Sequence, residues 1–526
     1  MIEKERKISI LNDVLGPIMH GPSSSHSAAP FAIARTCRQL SLSNGENLLE
    51  ASIRFDFDGS FAQVHEEQGS DEGFAAGLIG VNMESKEYSY ALSTLKGPIA
   101  PFKFDIELCS LKQIDHPNLV ELSLTCDSNS SRQTDRYLAI STGGGIFELL
   151  QYNDRKISID GSTYIFMIEC SSPIALKDVL ACLNEKDLFI DKQQNVEGLR
   201  DFWLFRTSRK LRIKERSSLL KISNITLIRE SEPVQLLVSG EQTLFNSGKE
   251  VLELCKNQSL PEIAIQYESM LLSLPAETVE EHFRRRAQLL LNIVKEGLER
   301  SSKEARYKYL APSASKILKS QRAKVLAGDY IHLAVSGALS VMETNIIRGI
   351  ISACPTAGSA GIIPGCLYSL EQKGHSIIEI TNALKVAGII GVIIAKRATF
   401  AAEIAGCMAE TGSAAGMAAA GLAHVMGATP ETTFNASTIS LMNTLGLVCD
   451  PVAGEVEIPC YARNIAGVSH AFVSASSAIG GFKSFIPFDE VVDTMLKVGE
   501  SMSSDLKCTC RGGLAVTPTA ISSMNF

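Results

Sequence analysis

Apolar and polar positions divide the chain into three stretches. In the first, to about residue 130, the pattern switches between two periods. Phe31 to Leu40 follows a polar Gly-Pro-Ser loop and predicts a helix. Ala51 to Phe57 (ASIRFDF) alternates at period two and predicts a strand. Asp71 to Ile79 is helical again. In the second stretch, residues 131–225, Ser162 to Cys170 is β-branched and aromatic and predicts a buried strand. Ala175 to Leu183 predicts a helix after Pro173, and Phe189 to Gln193 and Phe202 to Arg206 predict further strands. Strand, helix, strand, strand is the order of a ferredoxin-like module. From about 235 onward the strand signal fades. Val279 to Arg300 places Phe283, Ala287, Leu291, Val294 and Leu298 on one helical face. Beyond Leu310 the composition turns Ala-, Gly- and Ile-rich, which lets helices approach closely and predicts an all-α domain. The run Val386 to Ala395 lies between Lys385 and Lys396. It is about half the roughly 20 residues a membrane span needs, so it predicts a buried helix segment. Arg284, Arg285 and Arg286 predict a solvated helix face.

The expected fold class is therefore α+β and multidomain. An N-terminal α/β domain covers 1–130, a ferredoxin-fold module 131–225 and an all-α domain 235–526. The 526 residues are 45% hydrophobic and 21% charged, with a formal net charge of −8. That balance is globular and argues against a dedicated nucleic-acid binder. The N-terminus (MIEKERKISILND) has no apolar signal core, which predicts a cytoplasmic protein without a membrane partner. In a reducing compartment the 13 cysteines are expected to be free thiols, with a subset available to a metal or cluster.

Three constellations can carry chemistry. His20-Gly-Pro-Ser23-Ser24-Ser25-His26 runs into a predicted helix. Its hydroxyls and N–H groups can hold a carboxylate or phosphate, with His26 beside it as a general base. The same residues serve equally as a helix cap with an exposed histidine. The second, Cys354-Pro-Thr356-Ala-Gly358-Ser359-Ala-Gly361, supplies hydroxyls and glycines that permit close backbone approach. It follows a helix-like segment bearing Glu343, Asn345 and Arg348 and is also compatible with a plain helix–helix turn. The third is Cys407, Cys449 and Cys460, the last two in Pro-containing turns. By spacing alone these suit inert core thiols.

Taken together the segments resemble the iron–sulfur-dependent L-serine dehydratases (L-serine ammonia-lyases). The resemblance rests on GPSSSHSAAP at 21–30, QGSDEGFAAGLIG at 68–80, ETN at 343–345 and PTAGSAGIIPG at 355–365. It continues in GCMAETGSAAGMAAAGLA at 406–423, LGLVCDPVAGEVEIPCYARN at 445–464 and RGGLAVTP at 511–518. The order matches a fusion of that family's β and α subunits, with residues 131–225 similar to its ACT-type module.

The resemblance implies a [4Fe–4S] cluster on Cys407, Cys449 and Cys460 and no pyridoxal phosphate. It implies a small amino-acid substrate, water eliminated from L-serine, pyruvate and ammonia as products, and a homo-oligomer, at least a dimer. Ser23, Ser24, Ser25, Thr356, Gly358 and Ser359 would bind the substrate carboxylate. Asn345, Arg463 and Asn464 are further partners, His26 the base, and Asp71 its orienting group. Cys508 and Cys510, just before the Arg511-Gly-Gly turn, are candidates to close the cluster's fourth position. Two other readings stay open. One is a cysteine desulfidase, or dehydratase of another β-hydroxy amino acid, on the same scaffold. The other is a non-catalytic cluster-binding amino-acid sensor.

Overall fold

The computed structural model describes residues 7–111, 114–128, 131–183, 188–189, 202–240, 243–300 and 307–523. Strand β1 (Ile18–His20) leads through a wide turn, Ser24–Ala28, into the helix Ala29–Ser41. Then comes a six-stranded sheet of β2 (Asn47–Asp56), β3 (Lys103–Cys109), β4 (Leu119–Ser128), β5 (Ser131–Gly143), β6 (Ile146–Tyr152) and β7 (Arg155–Ile159). Its order is β3-β2-β4-β5-β6-β7, parallel between β2 and β3 and antiparallel elsewhere. The alternation in ASIRFDF puts Ala51, Ile53 and Phe55 in the core. The helix Ser70–Ile79 lies across Ala29–Ser41 at glycine-limited distance. A Cβ on Gly73 would stand 2.4 Å from the Ser27 carbonyl, and one on Gly77 2.5 Å from that of Phe31.

The boundary expected at 130/131 falls inside the β4–β5 hairpin, whose ladder runs from Leu119↔Ile140 to Ser128↔Ser131. Backbone pairing therefore carries the first sheet on to Ile159, and the next unit starts later than the composition suggests. It contains β8 (Tyr164–Cys170), the helix Leu176–Leu180, β9 (Leu188–Phe189), β10 (Phe202–Thr207), the helix Ile213–Leu219 and β11 (Ile225–Ser231). The antiparallel order β11-β8-β10-β9 is ferredoxin-like, over its own small core of Phe166, Ile168, Val179, Phe205 and Ile228. Its first helix is shorter than the expected 175–183. Residues 190–193 of the expected second strand lie outside the described residues.

The remainder is helical, with one correction. Strand β12 (Ile350–Ser352) pairs antiparallel with β1, His20 opposite Ile350 and Ile18 opposite Ser352. Two β-branched residues after the left-handed Arg348 need a partner for their backbone, and the N-terminal segment supplies it. The amphipathic helix Ala276–Glu299 buries Phe283, Ala287, Leu291 and Val294 as its period predicts. Arg284 and Arg285 are exposed and bonded to Glu281. Arg286 departs from the solvated face. It turns inward and donates to the Leu11 carbonyl and to Ser352 Oγ, each at 3.2 Å. The helix Ile377–Arg397 carries the longest apolar run. It and Gln321–Ile346 are long and apolar enough to cross a membrane, but 78% of the most apolar window of Ile377–Arg397 is buried inside the fold.

Candidate active site

The two polar loops meet. Asn345, at the end of the helix Gln321–Ile346, donates through Nδ2 to the carbonyl of Pro22 (3.0 Å) and to that of Ala357 (3.1 Å). One side chain thus clips the Ser23–His26 turn to the Thr356–Ser359 turn. The Ala357 N–H donates to Ser24 Oγ at 3.3 Å, which closes the seam. Asn345 Oδ1 is buried without a donor. On the far side of the second turn, Asn464 donates to the carbonyls of Gly358 (2.7 Å) and Cys460 (2.8 Å). It also accepts from Gly361 N–H at 3.1 Å. Thr356 and Ser359 hydroxyls bond each other at 3.1 Å. Ser24, Ser25, His26, Asn345, Thr356, Ser359 and Asn464 are all buried.

His26 has no exposed surface, so the histidine is not the exposed one of the cap reading, although Ser23 Oγ does cap the turn by accepting from the His26 N–H at 3.3 Å. Its Nε2 is 3.1 Å from Ser60 Oγ, and its Nδ1 is 3.3 Å from Ser23 Oγ and 3.7 Å from Glu403 Oε1. Burial pushes its pKa down to about 4, and Glu403 opposes that only in part. The imidazole is therefore neutral at neutral pH and able to take a proton. Asp71 does not orient it. Asp71 Oδ1 pairs with Nδ1 of His65 at 2.7 Å, because the helix start at Ser70 aims that carboxylate at the preceding turn. Burial lowers the His65 pKa, but the bond to Asp71 outweighs it and leaves the group raised.

Beside these loops lies a group of buried thiols. Cys407 follows Gly406, whose left-handed φ of 65° and close approach to the Leu447 carbonyl suit glycine. Cys407, Cys449 and Cys508 share one small cluster. The sulfurs of Cys407 and Cys449 and a Glu410 carboxylate oxygen all lie within 4.8 Å of one another. The neighbouring Cys449 thiol lowers Cys407, with Arg463 assisting, while Cys407 and Cys508 raise Cys449. Cys508 reaches the group because its N–H donates to the Cys449 carbonyl at 2.8 Å. Cys460 heads the helix Cys460–Ile479 and packs in an adjoining apolar cluster with Leu339, Met342 and Tyr461. Burial raises its thiol, and the charges of Cys407, Glu410 and Cys508 also act on it. All 13 cysteines are free. Buried thiols gathered this way form a donor set suited to a soft metal centre or an iron–sulfur cluster.

Arg463 touches this set and also lines a cavity of about 290 Å³ with Thr411, Leu447 and His470. Its Nη1 donates to Cys407 Sγ at 3.1 Å and its Nη2 to Asp450 Oδ1 at 2.6 Å. Three further residues belong to the site and were not among those expected from the sequence. Glu410 Oε2 is 3.8 Å from Cys407 Sγ, and burial, then the Cys407 charge, raises its carboxyl well above the usual range. Glu403 keeps Oε2 buried and unpartnered. Gln68 donates from Nε2 to the Gly454 carbonyl (3.1 Å) and to Cys508 Sγ (3.7 Å). Glu410 had a signal: it lies three residues after Cys407, one turn away in the same segment. Gln68 and Cys508 come together only through the tertiary fold.

Residues 215–515 match the family model described as "Serine dehydratase alpha chain". The "Probable L-serine dehydratase, alpha chain" of Bacillus subtilis (strain 168) is 39% identical over 280 residues, 52% of this chain and 93% of that protein. The "L-serine dehydratase, alpha chain" of Peptoniphilus asaccharolyticus is 36% identical over 281 residues, 52% of this chain and 96% of that protein. The "L-serine dehydratase" of Streptomyces coelicolor is 34% identical over 280 residues, 52% of this chain and 61% of that protein.

Proposed function

This chain belongs to the serine dehydratase alpha chain family, a family of lyases, and we propose that it converts L-serine to pyruvate and ammonia with a [4Fe–4S] cluster. The observation that carries the reading is the convergence of buried thiols at Cys407, Cys449 and Cys508, with Cys460 adjoining, beside two buried hydroxyl-bearing loops. Cys407, Cys449 and Cys460 are the proposed cluster ligands, and Cys508 is a fourth sulfur beside them. When bound, such a cluster supplies a Lewis-acidic iron that makes a hydroxyl a better leaving group.

The chain's own groups do the rest. The hydroxyls of Ser24 and Ser25 and the Gly358 N–H hold the substrate carboxylate, while the N–H groups of Thr356, Ala357 and Ser359 stay engaged within the turn and its seam. Gly358 keeps the turn close: a Cβ there would stand 2.9 Å from Glu410 Oε1. His26, neutral and shielded from water, removes the Cα proton. Glu403, 3.7 Å from Nδ1, stabilises the imidazolium that forms. The proton and the β-hydroxyl leave as water, and the resulting enamine tautomerises and hydrolyses to pyruvate and ammonia. Arg463 holds charge density on Cys407 and leaves the carboxylate to the loops.

The ferredoxin-like unit is proposed as an ACT-like regulatory module and the assembly as a homodimer. The test is to supply anaerobically reconstituted protein with L-serine, L-threonine and L-cysteine and to measure the keto acid formed. Keto acid from serine, faster than from the other two, is expected. Sulfide from cysteine alone would move the reaction to desulfidation on the same site. No product from any of them, with an intact cluster, would overturn the lyase assignment.

A further inference from the structure

Away from these thiols and loops, a cavity of about 500 Å³ opens where the N-terminal segment, the helix Ala29–Ser41, the connector Val234–Leu236 and the helix Ala276–Glu299 meet. That volume is typical of a small-molecule site. One wall is cationic: Arg35, Arg285 and Arg286 line it, against the acidic Glu84. Arg286 donates only to neutral acceptors, the Leu11 carbonyl and Ser352 Oγ. Arg35 rests near the Phe31 ring at 5.9 Å. Neither has a carboxylate partner among the described residues. A guanidinium held partly out of water with neutral partners gains from an anion.

A second wall is polar with the opposite need. Gln235 lines the cavity, and its Oε1 is buried without a donor. An acceptor left this way costs free energy until an N–H group reaches it. The remaining surface is apolar, with Leu11, Ile18, Phe31 and Leu289.

We propose that this cavity binds an α-amino acid with an apolar side chain, as an effector distinct from the substrate. The carboxylate faces Arg35 and Arg286, the ammonium faces Gln235 Oε1 and Glu84, and the side chain covers the apolar wall. Serine, with a short hydroxymethyl group, would leave that wall bare. The position gives the ligand a hold on catalysis. Ala28 lines the cavity and ends the turn that carries His26. Ser352, bonded to Arg286, ends the strand that leads into Cys354 and the Thr356–Ser359 turn. Both loops of the proposed active site are thus anchored on the cavity wall.

Titration calorimetry of the full chain with L-leucine, L-isoleucine, L-valine and L-phenylalanine tests this. Heat is read without turnover, so the result is independent of the catalytic assignment. At least one probe should bind saturably, and saturating L-serine should not displace it. Arg35→Met and Gln235→Leu should each weaken binding about ten-fold or more, with the ligand-free melting temperature unchanged in at least one of them. Absence of binding by all four probes would overturn the proposal. So would native affinity in both variants, or one-for-one displacement by serine.

Discussion

Cys508 donates its backbone N–H to the carbonyl oxygen of Cys449 at 2.8 Å, and the two side chains share one buried cluster with Cys407. This contact folds the segment before Arg511 back over the thiol group. Cys508 itself adopts a left-handed φ of 62°, a conformation that non-glycine residues hold only when their surroundings demand it. With the proposed cluster bound, a fourth sulfur there would shield its iron from oxygen. Cys508→Ala is expected to lose iron in air several-fold faster than the native protein, while Cys510→Ala behaves as native. Iron per chain, followed during air exposure, checks this. Equal rates in all three proteins would place Cys508 outside the metal's reach.

The state of His26 predicts a pH signature. Its pKa is about 4 in the fold against 6.5 in the unfolded chain, so between those values the unfolded chain binds more protons. Its contribution is complete above pH 6.5 and is lost as pH falls toward 4; it is at most on the order of 3 kcal/mol. Urea midpoints near pH 7 and pH 5 should therefore fall less in His26→Gln than in the native protein. The same variant should keep the iron–sulfur absorbance while turnover drops by roughly 10²–10⁴-fold. A parallel decline in the two proteins, or near-native turnover, would remove the buried base.

Asn464 ties the Thr356–Ser359 turn to the start of the thiol-bearing helix. Asn464→Ala leaves the Gly361 N–H without its acceptor and frees the Gly358 carbonyl. A stability loss of about 1–3 kcal/mol is expected, with KM for the amino acid rising more than kcat falls. Steady-state kinetics and urea unfolding on one preparation read both effects. A change confined to kcat would show that the turn does not position the substrate.

Glu268 holds the N-terminal segment that carries β1. It accepts from Ser9 Oγ and from the N–H groups of Ile10 (2.8 Å) and Leu11 (3.0 Å). Glu268→Ala strands these buried donors and should cost about 2–4 kcal/mol in urea unfolding, with Glu268→Gln well below that. Equal losses in the two variants would make the effect one of packing.

Local pattern made much of the fold legible. ASIRFDF alternates and is a strand, and the face set by Phe283, Ala287, Leu291 and Val294 is buried, because period alone decides those outcomes. Arg286 and Ile350–Ser352 escaped that logic. A side chain turning inward and a short strand pairing with residues far upstream depend on partners no window contains. The site divides in the same way. The hydroxyl loops and three of the thiols lie in compact motifs. Their clipping by Asn345, the pairing of Asp71 with His65 and the arrival of Cys508 are products of chain return. The β4–β5 ladder carries the first sheet past residue 131, because pairing between strands does not show in local composition.

The central claim is that the gathered thiols hold a cluster, and direct analysis of anaerobically purified full chain tests it. Iron and acid-labile sulfide should each approach about four per chain, fall sharply in Cys449→Ala, and accompany pyruvate formation from L-serine. A colourless protein that makes pyruvate without iron, or a Cys449→Ala protein with its full iron content, would contradict the account.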